Sequence, residues 1–412
     1  DIDVTIPPEE VLNVNVGVLG HVDSGKTSLV KILSTLLSTA ALDKSKQSRQ
    51  RGMTLDLGFS CFFLDIPTHL AKKYPEKSKL QMTLVDCPGH ASLIRTIIGG
   101  AQIIDMVLLV VDAYKGWQAQ TTECLVLAEL TSPHIIVALN KIDMFPPQER
   151  EGRLETAKQA VWRRLKGTRF ANSTLVGVSA CVGGEKVAAT EGEEGQHKST
   201  SLNTNNPDND TLNVDVLVNK LQEELPPPKR DFSQPTFYFS IDHCFPIRGQ
   251  GTVLTGTVLS GKISVNSMLE FPTLGFERKV KSMQMFRRRV QQIGQGDRAG
   301  ICVSNLDSKL LERGIAASPG AVQLLKGAIA VVRKVPYFDG SLKCGSKFHV
   351  SVGHTTIMAT VTYWGAREFQ KYGVTGSRDS KALSQQSESK NKAKPLIGHS
   401  SLGGDADMAG GA

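Results

Sequence analysis

The sequence predicts a multidomain α/β plus β chain: a domain built on a mostly parallel sheet, then small β-barrel domains, the last incomplete. Three observations carry this. The chain has 412 residues, room for roughly three domains at about 150 residues each. Short apolar strands alternate with helical segments through residues 13–180, the pattern of a parallel sheet covered on both faces. From Pro235 onward the runs are short, β-branched or aromatic, and separated by Gly, Pro or Asn, the pattern of a small barrel.

The elements follow in order. Residues 1–10 form an acidic N-terminal extension with no apolar core, which excludes a signal peptide; the absence of an initiator Met suggests a partial or processed chain. Strands are predicted over 14–20, 58–64, 80–86, 106–112, 134–140 and 174–179. A helix after Gly25 carries Leu29, Ile32, Leu33, Leu36 and Leu37 at helical spacing. The stretch 183–211 is rich in Gly, Glu, Ser, Asn and Thr and reads as a mobile insertion. A helix over 212–225 ends at Pro226-Pro227-Pro228, a stiff linker. The domain bounds are therefore 11–229 for the sheet domain, 230–318 for the first barrel, 319–372 for a partial second barrel and 373–412 for a low-complexity tail. Barrel strands are expected over 236–241, 251–259, 267–271 and 280–286, and further strands over 328–335, 347–352 and 355–363.

Composition excludes several classes. The apolar share of 40% is ordinary for a folded protein. One of the longest apolar runs, Met106 to Val111, stops at Asp112, far short of the ~20 residues of a membrane span, so no membrane partner is expected. The 7 Cys include no C-x-x-C pair, which argues against a zinc ribbon or disulfide framework and for reduced thiols in the cytoplasm. Lys and Arg outnumber Asp and Glu by 48 to 40, for a net charge of +8, which permits a polyanionic partner without requiring one.

Four motifs carry chemistry. Gly20-His21-Val22-Asp23-Ser24-Gly25-Lys26-Thr27 is a G-x-x-x-x-G-K-T loop between a strand and a helix. Such a loop curls backbone N–H groups around phosphates; Lys26 would reach the β- and γ-phosphates and the Thr27 hydroxyl would bind Mg2+. Asp86-Cys87-Pro88-Gly89-His90 closes another strand; Asp86 can hold Mg2+ and the Gly89 N–H can follow a γ-phosphate. Asn140-Lys141-Ile142-Asp143 follows a third strand. The Asp143 carboxylate can accept from guanine N1 and N2, and adenine would leave it unpaired. Ser179-Ala180-Cys181 would close the base pocket. In Arg51-Gly52-Met53-Thr54, Thr54 could cap Mg2+ only when a γ-phosphate is present, which makes the segment a switch. In this order the motifs predict a P-loop GTPase domain that uses GTP/GDP and Mg2+.

The same residues resemble the translational GTPases of the Tu type, whose loop reads G-H-V-D-H-G-K-T and whose second motif reads D-C-P-G-H; Ser24 replaces the second His. The resemblance implies that His90 positions the attacking water. It also implies that Val22 and Met53 form an apolar gate holding His90 back, and that Asp23, Ser24, Gly25, Lys26, Thr27 and Ser28 surround the nucleotide. Within these, the chain is most similar to the selenocysteine-specific elongation factors of eukaryotes. The carrying residues are 38–44, 51–62, 242–247, 281–286 and 296–298, with weaker likeness to about Tyr363. That likeness implies a selenocysteine pocket of Phe59, Asp242, His243 and Arg298, with selenocysteyl-tRNA, the ribosome and the selenocysteine-insertion RNA machinery as partners. The likeness fades before the family's fourth domain, the part that couples to that machinery. A selenol is more acidic than a thiol, whose pKa is about 8.5, so Arg298 and a protonated His243 would favour the selenolate over serine, with Asp242 orienting His243. Arg278, Lys279, Lys281, Arg287, Arg288, Arg289 and Arg298 give residues 271–300 a positive surface suited to tRNA phosphates. Two other readings fit the motifs: a general aminoacyl- or initiator-tRNA carrier, and a GTP-regulated protein-binding subunit without RNA.

Overall fold

The structure, a computed structural model, describes residues 7–34, 36–37, 58–87, 103–180, 211–231, 233–247, 249–286, 288–311, 313–323, 327–332, 334, 340–352 and 355–363. Met53, Thr54, Gly89, His90, Cys181, Arg287, residues 183–210 of the expected insertion and the tail 373–412 lie outside the described residues.

A 3-10 turn, Pro8–Glu10, leads into β1 (Val11–Gly20). There follow α1 (Lys26–Leu33), β2 (Leu36–Leu37), β3 (Gly58–Asp65), α2 (Thr68–Ala71), β4 (Lys79–Asp86) and β5 (Met106–Asp112). The domain continues with α3 (Ala119–Thr131), β6 (Ile135–Asn140), α4 (Arg150–Leu165), β7 (Leu175–Gly177) and α5 (Val214–Glu223). The sheet order is β2-β3-β4-β1-β5-β6-β7. From β4 to β7 the strands are parallel; β2 and β3 form an antiparallel edge. Every residue of β5, Met-Val-Leu-Leu-Val-Val-Asp, is buried, because both sheet faces are covered and alternation is lost. One face packs Val14, Val16 and Val18 on Leu29, Leu33, Leu217 and Leu221. The other packs Val107, Leu109 and Val111 on Leu125, Ala128 and Leu165. Each fully buried Leu or Val side chain contributes about 1.5–3 kcal/mol.

The helical spacing through Leu37 is overridden. Helix α1 stops at Leu33, and Ser34 is extended at φ −84°, ψ 126°. Leu36 and Leu37 pair with Cys61 and Ser60 of β3. Ser34 Oγ bonds Val30 O and lies 2.5 Å from Ser60 Oγ, so a side chain competes with the helix backbone where an edge strand offers pairing.

The barrel is built from β8 (Tyr238–Ile247), β9 (Gly251–Ser260), β10 (Lys262–Ser264), β11 (Met268–Phe271) and β12 (Phe276–Met285). It continues with β13 (Arg288–Val290), β14 (Gln292–Gly294), β15 (Arg298–Val303) and β16 (Gly314–Ala317). The order β11-β16-β8-β9-β15-β12 closes through the β11–β12 pairing, so six strands form a ring. Its interior holds Phe237, Phe239, Leu254, Val258, Phe271, Val280 and Ile301. Two ring strands, β15 and β16, are missing from the sequence expectation, because Gly300 and Gly-Ile-Ala-Ala have weak strand character until neighbours pair with them. The fold class is therefore as predicted, a P-loop type α/β domain followed by a β-barrel.

A strand expected over 328–335 is absent among the described residues there, and Ile329 and Val331 are 87% and 106% exposed; β-branched residues make a strand only with a partner ladder. Further on, β17 (Ser346–Val352) and β18 (Thr355–Val361) pair in a two-stranded sheet. Among the described residues, 340–348 and 359–363 belong to a separate compact unit. Within it Tyr363 N–H donates to Cys344 Sγ at 3.3 Å.

Sheet domain and barrel meet through polar groups. Arg230, just after the proline linker, donates to both Asp105 carboxylate oxygens at 2.7 and 2.6 Å. Asn13 and Asn15 donate to Gly296 O at 3.0 and 2.9 Å. Gly296 has φ +87°, and a Cβ there would lie 2.3 Å from Arg230 Nε. No helix among the described residues is long and apolar enough to cross a membrane.

Candidate functional site

The carboxyl ends of four neighbouring parallel strands present Gly20, Asp86, Asp112 and Asn140. Strand β1 sits between β4 and β5, so this end is a topological switch point, where α/β sheets open a crevice for ligands. The loop after β1 turns at Gly25, with φ +87°, and a Cβ there would lie 2.2 Å from Asn140 Nδ2. Asp23 also adopts a left-handed conformation, at φ 61°. Among the described residues no side chain caps the start of α1, so its first N–H groups face the loop as a ready anion site. Lys26 is buried, and its Nζ donates to His21 O at 2.7 Å. Burial lowers its pKa, against the opposing pull of Asp86. Ser28 is exposed on α1. Val22 N–H donates to Gln120 Oε1 at 3.1 Å.

Thr27 Oγ1 donates to Asp86 Oδ2 at 2.9 Å. The other oxygen, Asp86 Oδ1, is buried without a hydrogen-bond partner among the described residues, and burial raises the Asp86 pKa. A hydroxyl beside a buried carboxylate with an oxygen to spare is a hard-oxygen set that fits Mg2+, which takes one or two protein oxygens and completes its shell with phosphate and water.

The Asn-Lys-x-Asp segment braces this loop. Asn140 Nδ2–H donates to Ser24 O at 2.9 Å, and Asn140 Oδ1 accepts from Ala180 N–H at 3.2 Å. Lys141, at φ 68°, donates through Nζ to Asp23 O at 2.6 Å and pairs with Asp112 at 2.9 Å. Ser179 Oγ donates to Asp143 Oδ1 at 2.6 Å. The sequence reading missed Asp112 and Gln120. The place of Asp112 at a buried strand's polar end was the available signal; Gln120 left none.

A second group of residues lies on the outer face of β8, β9 and β15. The register Ile241↔Gly256, His243↔Thr255 skips Asp242, a β-bulge. Two residues of one strand then oppose one of the other, which brings Asp242 and His243 against Thr255. Asp242 Oδ2 accepts from Arg298 Nη1, which also donates to Thr257 Oγ1 at 3.2 Å. Arg298 is 3% exposed, and its guanidinium carbon lies 3.4 Å from the centroid of the Phe59 ring of β3. Its Nη2 has no hydrogen-bond partner among the described residues. Burial lowers the Arg298 pKa while Asp242 raises it. Asp297, the neighbour of Arg298 in the chain, takes a different partner: its Oδ2 accepts from Gly294 N–H at 2.8 Å. Because Arg298 is interior, the positive surface of β12 and β13 rests on Lys279, Lys281 and Arg289, which are exposed, with Arg278 and Arg288 half-buried. Arg278 lies over the Phe276 ring at 4.1 Å.

The elongation factor Tu GTP binding domain matches residues 12–227. The third domain of the eukaryotic selenocysteine-specific elongation factor matches residues 329–401. The chain is 46% identical over 353 residues to a selenocysteine-specific elongation factor of Mus musculus, covering 86% of this chain and 57% of the mouse protein. It is 36% identical over 355 residues to one of Methanocaldococcus jannaschii, covering 85% and 66%. The chain thus spans between half and two thirds of these relatives. A crystal structure of translation elongation factor SelB from Methanococcus maripaludis, in complex with the GTP analogue GppNHp, superposes with a TM-score of 0.65 at 28% identity, covering 85% of this chain and 65% of that one. The Tu-type match takes in more than half of the 412 residues, and with the loop, strand ends and switch point described above it places the chain in the family of the elongation factor Tu GTP binding domain.

Proposed function

We propose that this protein is a GTP-dependent elongation factor that binds selenocysteyl-tRNA, carries it to the ribosome and hydrolyses GTP to GDP and phosphate. The single observation that carries the substrate choice is the buried Arg298 guanidinium, with one nitrogen committed to Asp242 and another without a hydrogen-bond partner among the described residues. A cation held out of water favours an anionic side chain over a neutral one of similar size, because its field is weakly screened there. Selenocysteine is ionised at neutral pH; serine and most cysteine are not. The names of the mouse and archaeal relatives support the same choice.

In this reading the first turn of α1 and Lys26 hold the phosphates. Asp143, braced by Ser179, reads guanine, and Asn140 ties the base segment to the phosphate loop. Thr27 and Asp86 would hold Mg2+, joined by Thr54 in the triphosphate state, and a bound ion there would supply charge neutralisation for the transferred phosphoryl group. Gly89 follows the γ-phosphate. His90 orients the attacking water once ribosome docking moves it past the gate of Val22 and Met53. Lys279, Lys281 and Arg289 meet tRNA phosphates. The selenocysteine-insertion RNA machinery is the partner at the decoding step, and the cytoplasm is where all of these meet.

The test is equilibrium binding of the GTP-loaded protein to the same tRNA charged with selenocysteine or with serine, across a salt series. Tighter binding of the selenocysteine form by at least tenfold is expected. Equal affinity for the two would leave a general tRNA carrier, and no salt-dependent tRNA binding would leave a protein-binding GTPase.

A further inference from the structure

Strand β9 alternates faces: Leu254 and Val258 enter the barrel core, whereas Thr255 and Thr257 point outward. On β15 Ala299 and Ile301 enter the core, so Arg298 and Gly300 face outward as well. The pairs Arg298↔Thr257 and Gly300↔Thr255 put all four on one outer patch. Thr257 has a bond from Arg298. Thr255 is 1% exposed, and its Oγ1 has no hydrogen-bond partner among the described residues.

The patch therefore holds two buried groups with unused donors, Arg298 Nη2 and Thr255 Oγ1. Diagonal neighbours across an antiparallel pair stand about 7–8 Å apart, within reach of a long side chain. Gly300, directly opposite Thr255, adds no side chain between them. The bulge places Asp242 and His243 on the other side of Thr255. A buried hydroxyl without a partner is costly, and valine would fill the same space in a strand without that cost. A ligand that accepts the bond would account for threonine at this position.

We propose that Thr255 is a further specificity residue, its hydroxyl donating to the same anionic acceptor that Arg298 Nη2 engages. This rests on the selenocysteine reading above and names a residue beyond its pocket of Phe59, Asp242, His243 and Arg298. The acceptor is a chalcogenolate side chain on the aminoacyl ester. A serine hydroxyl, being neutral, returns less to either donor.

The experiment compares wild type, Thr255→Val and Thr255→Ser for binding of selenocysteyl- and seryl-tRNA and for the midpoint of thermal unfolding. Thr255→Val should weaken selenocysteyl-tRNA binding about tenfold or more, the effect of losing one hydrogen bond to a charged group, with seryl-tRNA changed less than about threefold. Thr255→Ser should keep wild-type selectivity, and the midpoint of Thr255→Val should equal or exceed that of wild type. Three results overturn the proposal: unchanged selectivity in Thr255→Val, equal losses in the Val and Ser variants, or a lowered midpoint in Thr255→Val, which would reveal a structural partner for the hydroxyl. Each of these leaves the selenocysteine reading standing if wild type still discriminates. Equal affinity of wild type for both charged tRNAs overturns that reading and this proposal together.

Discussion

The guanidinium carbon of Arg298 lies 3.4 Å from the centroid of the Phe59 ring, so the cation of the barrel is roofed by a strand of the GTPase-type sheet. Phe59 stands on the sheet domain and Arg298 on the barrel, so the proposed pocket is lined from both. Phe59→Leu removes the roof without removing the charge. It should reduce the preference for selenocysteyl- over seryl-tRNA by about fivefold to thirtyfold, since a desolvated cation–π contact is worth about 1–2 kcal/mol. Arg298→Ala should abolish the preference. Retained preference in Arg298→Ala would move the selenium-sensing group elsewhere.

Asp143 keeps its bond from Ser179 if it becomes Asn, because the amide oxygen still accepts. The proposed pairing with guanine N1 and N2 would be lost. Asp143→Asn should therefore weaken GTP binding by about a hundredfold and improve binding of xanthosine triphosphate, whose ring offers the complementary acceptor. Competition between the two nucleotides reads this directly, and an unchanged preference for GTP would remove Asp143 from the base pocket.

The Arg230–Asp105 pair is largely buried, at 12% and 7% side-chain exposure. Removing one partner leaves the other charge uncompensated, which typically costs about 3–5 kcal/mol. Asp105→Ala should lower stability in denaturant titration by that order. It should also loosen the joint between sheet and barrel, seen as faster proteolysis within residues 226–231. A loss below about 1 kcal/mol would mean that the pair is solvated in solution.

Asp297 supplies a pH signature. Burial pushes its carboxyl up to about 6, with the Gly294 N–H and Arg230 pulling the other way. The folded pKa is above the unfolded value of about 3.9, so its stabilising contribution is full below pH ~4 and is lost as pH rises through about 6. Asp297→Asn stays neutral and can still accept from Gly294. The gap in unfolding midpoint between the variant and wild type should grow from pH 4 to 7. A gap independent of pH would show that Asp297 is ionised at no cost.

His90→Ala should leave GTP affinity within about threefold and slow ribosome-stimulated hydrolysis by about 10²–10³, the range for losing one preorganised electrostatic group. If nucleotide affinity collapses in that variant, the histidine is part of the binding site and does not orient water.

The sequence by itself determined the phosphate loop, the Asp86 and Asn-Lys-x-Asp segments, the strand–helix alternation and the change to β texture at Pro235. These are local: a strand end, a glycine of positive φ or an apolar period is set by residues adjacent in the chain. Only the tertiary structure decided that α1 ends at Leu33, that Asp242 meets Arg298 across 56 residues, and that Asn140 holds Ser24 across 116. It also decided that Asp105 takes Arg230. The bulge at Asp242 shows the reason most directly. In an unbroken strand His243 would face the barrel core; one extra residue turns it outward beside Thr255. Register of this kind is selected by pairing among strands far apart in the chain.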